Sequence, residues 1–194
     1  ARIATLINPR HANGQKTILS LASGRTMRDL YAELVRLHKE EGLSFKNVVI
    51  FGSYEFYPLS DTTSGSMAQI QSQLLDHIDI LPENVHTFPG DLPKENVFAF
   101  CEEYEKAIAE AGGIDVQVLG IGQCGNIAMN EPGTQSNSST RLVIMDSNSR
   151  MDAKSMFGNV TQVPNCAITL GVETILQAKE VILLAFGQHK ASIV

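Results

Sequence analysis

No apolar stretch in this chain approaches the roughly 20 residues needed to cross a bilayer, and no membrane contact is expected. The most apolar segment, Val181 to Phe186, has the length of a buried strand. Basic runs are also missing. Fifteen Lys and Arg are spread along the chain against 21 Asp and Glu, for a net charge of −6. Nothing there neutralises a phosphate backbone, so nucleic acid is excluded as a partner. A small anion can still be held locally, because net charge says little about one pocket. Cys101, Cys124 and Cys166 are odd in number and far apart. They suggest neither a disulfide framework nor a zinc site, and they fit a reducing cytoplasm. The five histidines never form an H-x-x-x-H pair. No metal and no cofactor are expected. Ala1-Arg2-Ile3-Ala4 does not read as the start of a signal peptide. Internal repeats, low-complexity tracts and linkers are absent too.

What remains is 194 residues, 43% hydrophobic and 19% charged. Those proportions argue against disorder, and the length suits one domain with a buried core. Short apolar runs alternate with longer helical patterns. Strands are predicted at Thr17 to Ala22, Asn47 to Phe51, Val85 to Phe88, Ile114 to Leu119, Arg141 to Met145, Ala167 to Leu170 and Val181 to Phe186. Met27, Leu30, Tyr31, Leu34, Leu37 and His38 fall on one helical face, with Gly42 as the stop. Met67, Ile70, Leu74 and Leu75 mark a second helix. Val97 to Ala111 keeps helical spacing as well, and Val172 to Gln177 is a short helix. Alternating fully apolar strands and helices predict an α/β fold: a Rossmann-like three-layer αβα sandwich around a mostly parallel sheet.

Ligands of such a sheet bind outside the carboxyl ends of the strands. Four loops follow apolar strands there: Ser23 to Thr26, Gly52 to Leu59, Gly120 to Pro132 and Gly187 to Lys190. Ser23, Gly24, Arg25 and Thr26 precede a long helix, a setting that suits phosphate. The bland alternative makes Thr26 a helix cap and Arg25 a solvated charge. Lys190 lies four residues past Phe186, the end of the last strand, and can reach an anion on the same rim, unless it is an ordinary surface lysine. Glu131, before Pro132, can project an acid or base into the cleft. Cys124 has no nearby histidine in sequence to activate it and reads as an inert thiol.

Gly120-Ile121-Gly122-Gln123-Cys124-Gly125 is formally a dinucleotide fingerprint, with Asp146 further along as a ribose-binding acid. That motif must open a full helix. Pro132 interrupts the chain within two turns, which ranks a nicotinamide site last.

The chain resembles the glucosamine-6-phosphate deaminase/isomerase family, which shares its fold with 6-phosphogluconolactonases. The resemblance runs through Leu30-Tyr31 to Val49, Leu75 to Ile80 with Glu83-Asn84-Val85, Gly120 to Gly133, Gln162 to Val172, and Gly187 to Ala191. Tyr54 to Leu59 also resembles a divergent, Bacteroides-type subgroup. The resemblance implies a cytoplasmic domain of amino-sugar metabolism whose partner is a small phosphorylated sugar. It implies a deamination in which a carboxylate base moves a proton from C2 to C1 and a histidine opens the ring. The family's Asp-Glu-Tyr triplet is Tyr54-Glu55-Phe56 here, and its Asp-Gly-His is Cys124-Gly125-Asn126. Of the four catalytic positions, Tyr54, Cys124, Asn126 and Glu131, only Glu131 keeps the family residue. Glu55 is a substitute base only if it shares a face with Tyr54, and neighbours on an extended stretch do not. Ser23, Gly24, Arg25, Thr26 and Lys190 match phosphate positions, and Lys154 is a further phosphate candidate. Arg141 matches an allosteric-phosphate arginine, although Val143 replaces its companion lysine. Deamination is therefore in doubt, and a non-catalytic sugar-phosphate-sensing or structural domain is the alternative. Homo-oligomers and monomers both occur among such relatives. The missing initiator Met and the stop at Val194 are expected of a single deaminase-like domain, 1–194, that lacks the family's last strand–helix pair. Some members of the subgroup are longer chains fused to a de-N-acetylase-like domain.

Overall fold

The computed structural model describes residues 2–59, 61 and 63–194. Five strands form a wholly parallel sheet: β1 (Thr17–Leu21), β2 (Val48–Gly52), β4 (Val85–His86), β5 (Val116–Gly120) and β8 (Glu180–Leu184). Their spatial order is β4-β2-β1-β5-β8. Register puts Leu21 beside Gly52, and Gly120 beside Leu184. The carboxyl ends of these strands therefore share one rim, where the loops read as ligand-binding begin.

Side-chain alternation explains the layers. Leu19, Leu21, Val48, Ile50, Val116 and Val118 share one face. They pack against α1 (Arg2–Ala12), α2 (Arg28–Glu41) and α3 (Ser66–Gln73). The intervening Ile18, Val49, Phe51 and Leu119 point the other way, onto α4 (Val97–Glu110). A strand hydrophobic on both faces belongs between two helical layers. α2 ends where expected: Gly42 takes φ 73° and its N–H bonds the Leu37 carbonyl. A left-handed residue at that position suits glycine.

Several features depart from the expectations. A second sheet, antiparallel, is made of β3 (Tyr54–Tyr57), β7 (Cys166–Thr169) and β6 (Arg141–Ile144), in the order β3-β7-β6. The strands at 141 and 167 belong to it and not to the parallel sheet. Part of the loop expected from Gly52 to Leu59 is strand β3. It is tied to the central sheet through the Leu170 N–H, which donates to the Ser53 carbonyl at 2.9 Å. β8, read as buried, is an edge strand that leaves Val181 and Leu183 41% and 44% exposed. α1 was not expected, since Pro9 lies inside it. Ile3 and Ile7 bury it, and Arg10 joins Lys179 on Asp115, which is 3% exposed. Burial raises the Asp115 pKa, but Lys179, the Ile18 N–H and Arg10 outweigh it and leave the carboxyl below its usual range. α5 (Ser147–Phe157) was also unexpected, and it roofs the pocket described next. The last short helix, α6 (Val172–Leu176), follows β7 as expected. Among the described residues, no helix is long and apolar enough to cross a membrane.

Candidate functional site

A pocket of about 520 Å³ opens on the strand-end rim. Its wall includes Ser23, Gly24, Arg25, Thr26, Tyr54, Asn126 and Lys190. Residues from the first fifth and the last few positions of the chain thus meet on one surface. That meeting follows from β1 and β8 flanking β5 in the parallel sheet.

The loop after β1 leads through a 3₁₀ turn, Arg25–Met27, straight into α2. Its opening residue, Gly24, has φ 120° and supplies no side-chain cap, and Thr26 does not cap either. The first amides of a helix have no carbonyl of their own helix to bond, so those of Arg25 and Thr26 are suited to an anion. The Gly24 N–H is already committed, donating to Gln69 Oε1 of α3 at 3.1 Å. Met27 is fully buried and the Tyr31 hydroxyl donates to the Ala22 carbonyl. Both hold the loop against the core. Lys190 ends a 3₁₀ turn, Gln188–Lys190, that begins at Gly187 with φ 89°.

Tyr54 stands on the first residue of β3, with its hydroxyl 2.7 Å from Ser23 Oγ. Burial pushes its pKa up to about 12, against the opposing pull of the Ser23 hydrogen bond. It is neutral at physiological pH and is no base there. Glu55 points to the opposite side of the strand. Its Oε1 accepts the N–H groups of Ser66 (2.8 Å) and Phe56 (2.9 Å), and Oε2 accepts the Met67 N–H at 2.8 Å. Burial pushes its pKa up, and these three donors pull it partly back. Glu55 therefore anchors the start of α3, and it does not reach the pocket. Gly65 has φ 106°, and a Cβ there would lie 2.5 Å from Glu55 Oε1. Only glycine leaves room for this anchor.

The turn after β5 closes on itself: the Gly122 N–H donates to the Asn126 carbonyl at 2.9 Å. A side chain on Gly122 would overlap the Asn126 amide, so the glycines of this turn serve its tight closure. No helix follows. Residues 121–140 hold turns and one Ile127–Asn130 bridge, so the dinucleotide fingerprint lacks the helix it requires. Asp146 is the N-cap of α5, its carboxylate accepting the Ser149 N–H at 2.7 Å, and it has no part in the pocket wall. Ala128, on the wall, has φ 48°, an uncommon value for a residue other than glycine.

The other expected site residues lie elsewhere. Cys124 is exposed and off the pocket wall. Glu131 is one layer behind the wall. Its Oε1 accepts the Ser149 hydroxyl at 2.6 Å, while its buried Oε2 has no partner among the described residues. Ser149, which donates to that carboxylate, is itself on the wall. Lys154 is on α5 but exposed and outside the wall. Arg141 borders a separate cavity of about 740 Å³ beside α4 and α6. Burial lowers its pKa, and its guanidinium donates to the Ser139 carbonyl at 3.3 Å.

The wall also takes residues outside the four expected loops, among them Asp29, Ser149, Asp152 and Phe186. Ser149 and Asp152 lie on α5, where Asp146 is a helix-cap residue type but no apolar stripe follows it in the sequence.

Comparisons with known proteins bear on the family and the fold. A model of the family described as Glucosamine-6-phosphate isomerases/6-phosphogluconolactonase matches residues 1–194. The chain is 45% identical over 193 residues to a glucosamine-6-phosphate deaminase-like protein of Bacteroides thetaiotaomicron, covering 99% of this chain and 29% of that one. It is 39% identical over 196 residues to the glucosamine-6-phosphate deaminase of Bacillus pumilus, covering 98% and 79%. A solved monomeric glucosamine-6-phosphate deaminase superposes with a TM-score of 0.88 at 34% identity, over 98% of this chain and 79% of that one. The 6-phosphogluconolactonase of Trypanosoma brucei shares the fold, with a TM-score of 0.74 at 22% identity over 99% and 78%. The chain thus spans only part of each relative, and less than a third of the Bacteroides protein. Since the family model runs through all 194 positions and the relatives match at this level, the chain belongs to the glucosamine-6-phosphate isomerase/6-phosphogluconolactonase family.

Proposed function

We propose that this domain takes a phosphorylated sugar, with an amino-sugar phosphate as the ligand class, into the rim pocket. We further propose that it does not deaminate that ligand by the family's usual acid–base pair. One observation carries the first part. The Ser23–Thr26 loop at the mouth of α2 and the distant Lys190 face one cavity. Helix-opening amides, a threonine hydroxyl and two cations are what a phosphate monoester needs.

The second part rests on what occupies the reacting end. Moving the C2 proton needs a base within reach, and opening the ring needs a group that both gives and takes a proton. Tyr54 keeps its proton at neutral pH. An amide such as Asn126 hydrogen-bonds a sugar oxygen but cannot shuttle a proton. Glu131 is not on the wall, and its carboxylate accepts the Ser149 hydroxyl. These replacements favour binding without standard turnover, as in a sensing domain of a longer protein of carbohydrate metabolism. The setting implied is cytoplasmic.

Thermal shift tests the binding. Glucosamine 6-phosphate and inorganic phosphate are each expected to raise the midpoint, and Lys190→Ala to weaken both effects. No shift with either, or shifts indifferent to Lys190→Ala, would remove the phosphate site. NADH is expected to give no shift.

A further inference from the structure

The pocket wall carries two carboxylates among the described residues, Asp29 and Asp152. Glu55 is sealed behind β3 by three backbone donors, and Glu131 stands behind Ser149. Asp29 lies in the first turn of α2, four residues from Arg25, where the helix N-terminus favours a negative charge. Asp152 comes from a different element, the second turn of α5. Its Oδ2 meets the Gln123 N–H at 3.4 Å, which sets the carboxylate against the turn after β5. No hydrogen bond or ion pair engages its Oδ1 among the described residues. Asn126, Gln123 and Ser149, also on that wall, are neutral, and its cations, Arg25 and Lys190, are the groups assigned to the phosphate. Neutral groups accept a hydrogen bond from a sugar hydroxyl or an ammonium alike. A carboxylate separates the two, because it adds a charge interaction only with the ammonium.

We infer that Asp152 selects an ammonium-bearing sugar phosphate over its hydroxyl counterpart, pairing with the protonated amine while the phosphate is held by the Arg25 loop and Lys190. This rests on the sugar-phosphate reading of the same pocket and assigns that ligand's second recognition point. Asp152 is an exposed carboxylate, so the expected preference is modest, about three- to tenfold.

Calorimetric titration of the 194-residue chain with three probes tests it: inorganic phosphate, glucose 6-phosphate and glucosamine 6-phosphate. At about pH 6 the wild type is expected to prefer the amino sugar, and the preference to shrink as the amine loses its proton at higher pH. Asp152→Asn is expected to abolish the preference and leave glucose 6-phosphate and inorganic phosphate binding within about twofold. Asp29→Asn is expected to keep it. A wild type without preference, an Asp152→Asn variant that retains it, or its loss in Asp29→Asn instead would each overturn the assignment. Binding of all three probes with no dependence on Asp152 defeats this inference alone. Failure of all three to bind defeats it together with the sugar-phosphate reading.

Discussion

The loop after β1 and the turn after β5 form two walls of one pocket, yet they offer a ligand different chemistry. The first retains a serine, a glycine, an arginine and a threonine at a helix mouth, with Lys190 completing the set. The second holds its glycines and Glu131, with Cys124 and Asn126 where the resemblance implies an aspartate and a histidine. Tyr54 stands beside the first of them and spends its hydroxyl on Ser23. On the proposed reading, anion binding and proton transfer are separable on this scaffold. Backbone amides at a helix start survive side-chain replacement, whereas acid–base chemistry depends on individual titratable groups.

Breaking the scaffold between the two walls is expected to have the largest effect. Glu55→Ala leaves three N–H groups around the start of α3 without their acceptor, at a cost of about 3 kcal/mol in denaturant unfolding. If Glu55 were a hidden base, the variant would instead lose turnover at unchanged stability. Next, Lys190→Ala is expected to weaken phosphate binding roughly tenfold in a titration while leaving stability nearly unchanged. Equal affinity in the variant would place the anion elsewhere. Tyr54→Phe removes the bond to Ser23 and is expected to cost about 1 kcal/mol. It is expected to leave any residual ammonia release unaltered, whereas a base at this position would be silenced. The smallest effect is a pH dependence. The raised pKa of Glu55 means the native state holds its proton more tightly than the unfolded chain. Its contribution is therefore present below the unfolded carboxyl value, about 4.3, and fades as pH rises through the folded one. Asp115, held below its usual range, contributes in the opposite sense: present above about pH 3.9 and lost in acid. Comparing acid unfolding of Glu55→Gln and Asp115→Asn with the wild type should show slopes altered in opposite directions.

Most of the frame was legible in the sequence because it rests on apolar periodicity. α2 shows an uninterrupted stripe from Met27 to Leu37 and a glycine stop. α1 is hidden by Pro9, which the helix tolerates while burying Ile3 and Ile7. α5 is hidden by its polarity, since only Ser149 and Ala153 of its eleven residues are buried. β8 is an apolar run whatever its place, and a run alone does not report that one neighbour is missing. Pairing partners are equally silent, so β6 and β7 read like strands of the parallel sheet. At the site, the Ser23–Thr26 loop was legible because a strand, a glycine and a helix follow in order. Asp152 was not, because its value depends on α5 lying over the rim. Glu131 was placed at the cavity by its sequence neighbourhood, and the Ser149 hydroxyl stands in between.

Ammonia release from glucosamine 6-phosphate by the wild type, beside a Tyr54→Asp, Cys124→Asp, Asn126→His variant, tests the separation of binding from proton transfer most directly. The wild type is expected to bind the sugar and release little ammonia. The variant is expected to gain about 10²-fold or more, as one or two restored acid–base groups allow. Rapid release by the wild type, or no gain in a variant that folds and binds as well, would contradict it.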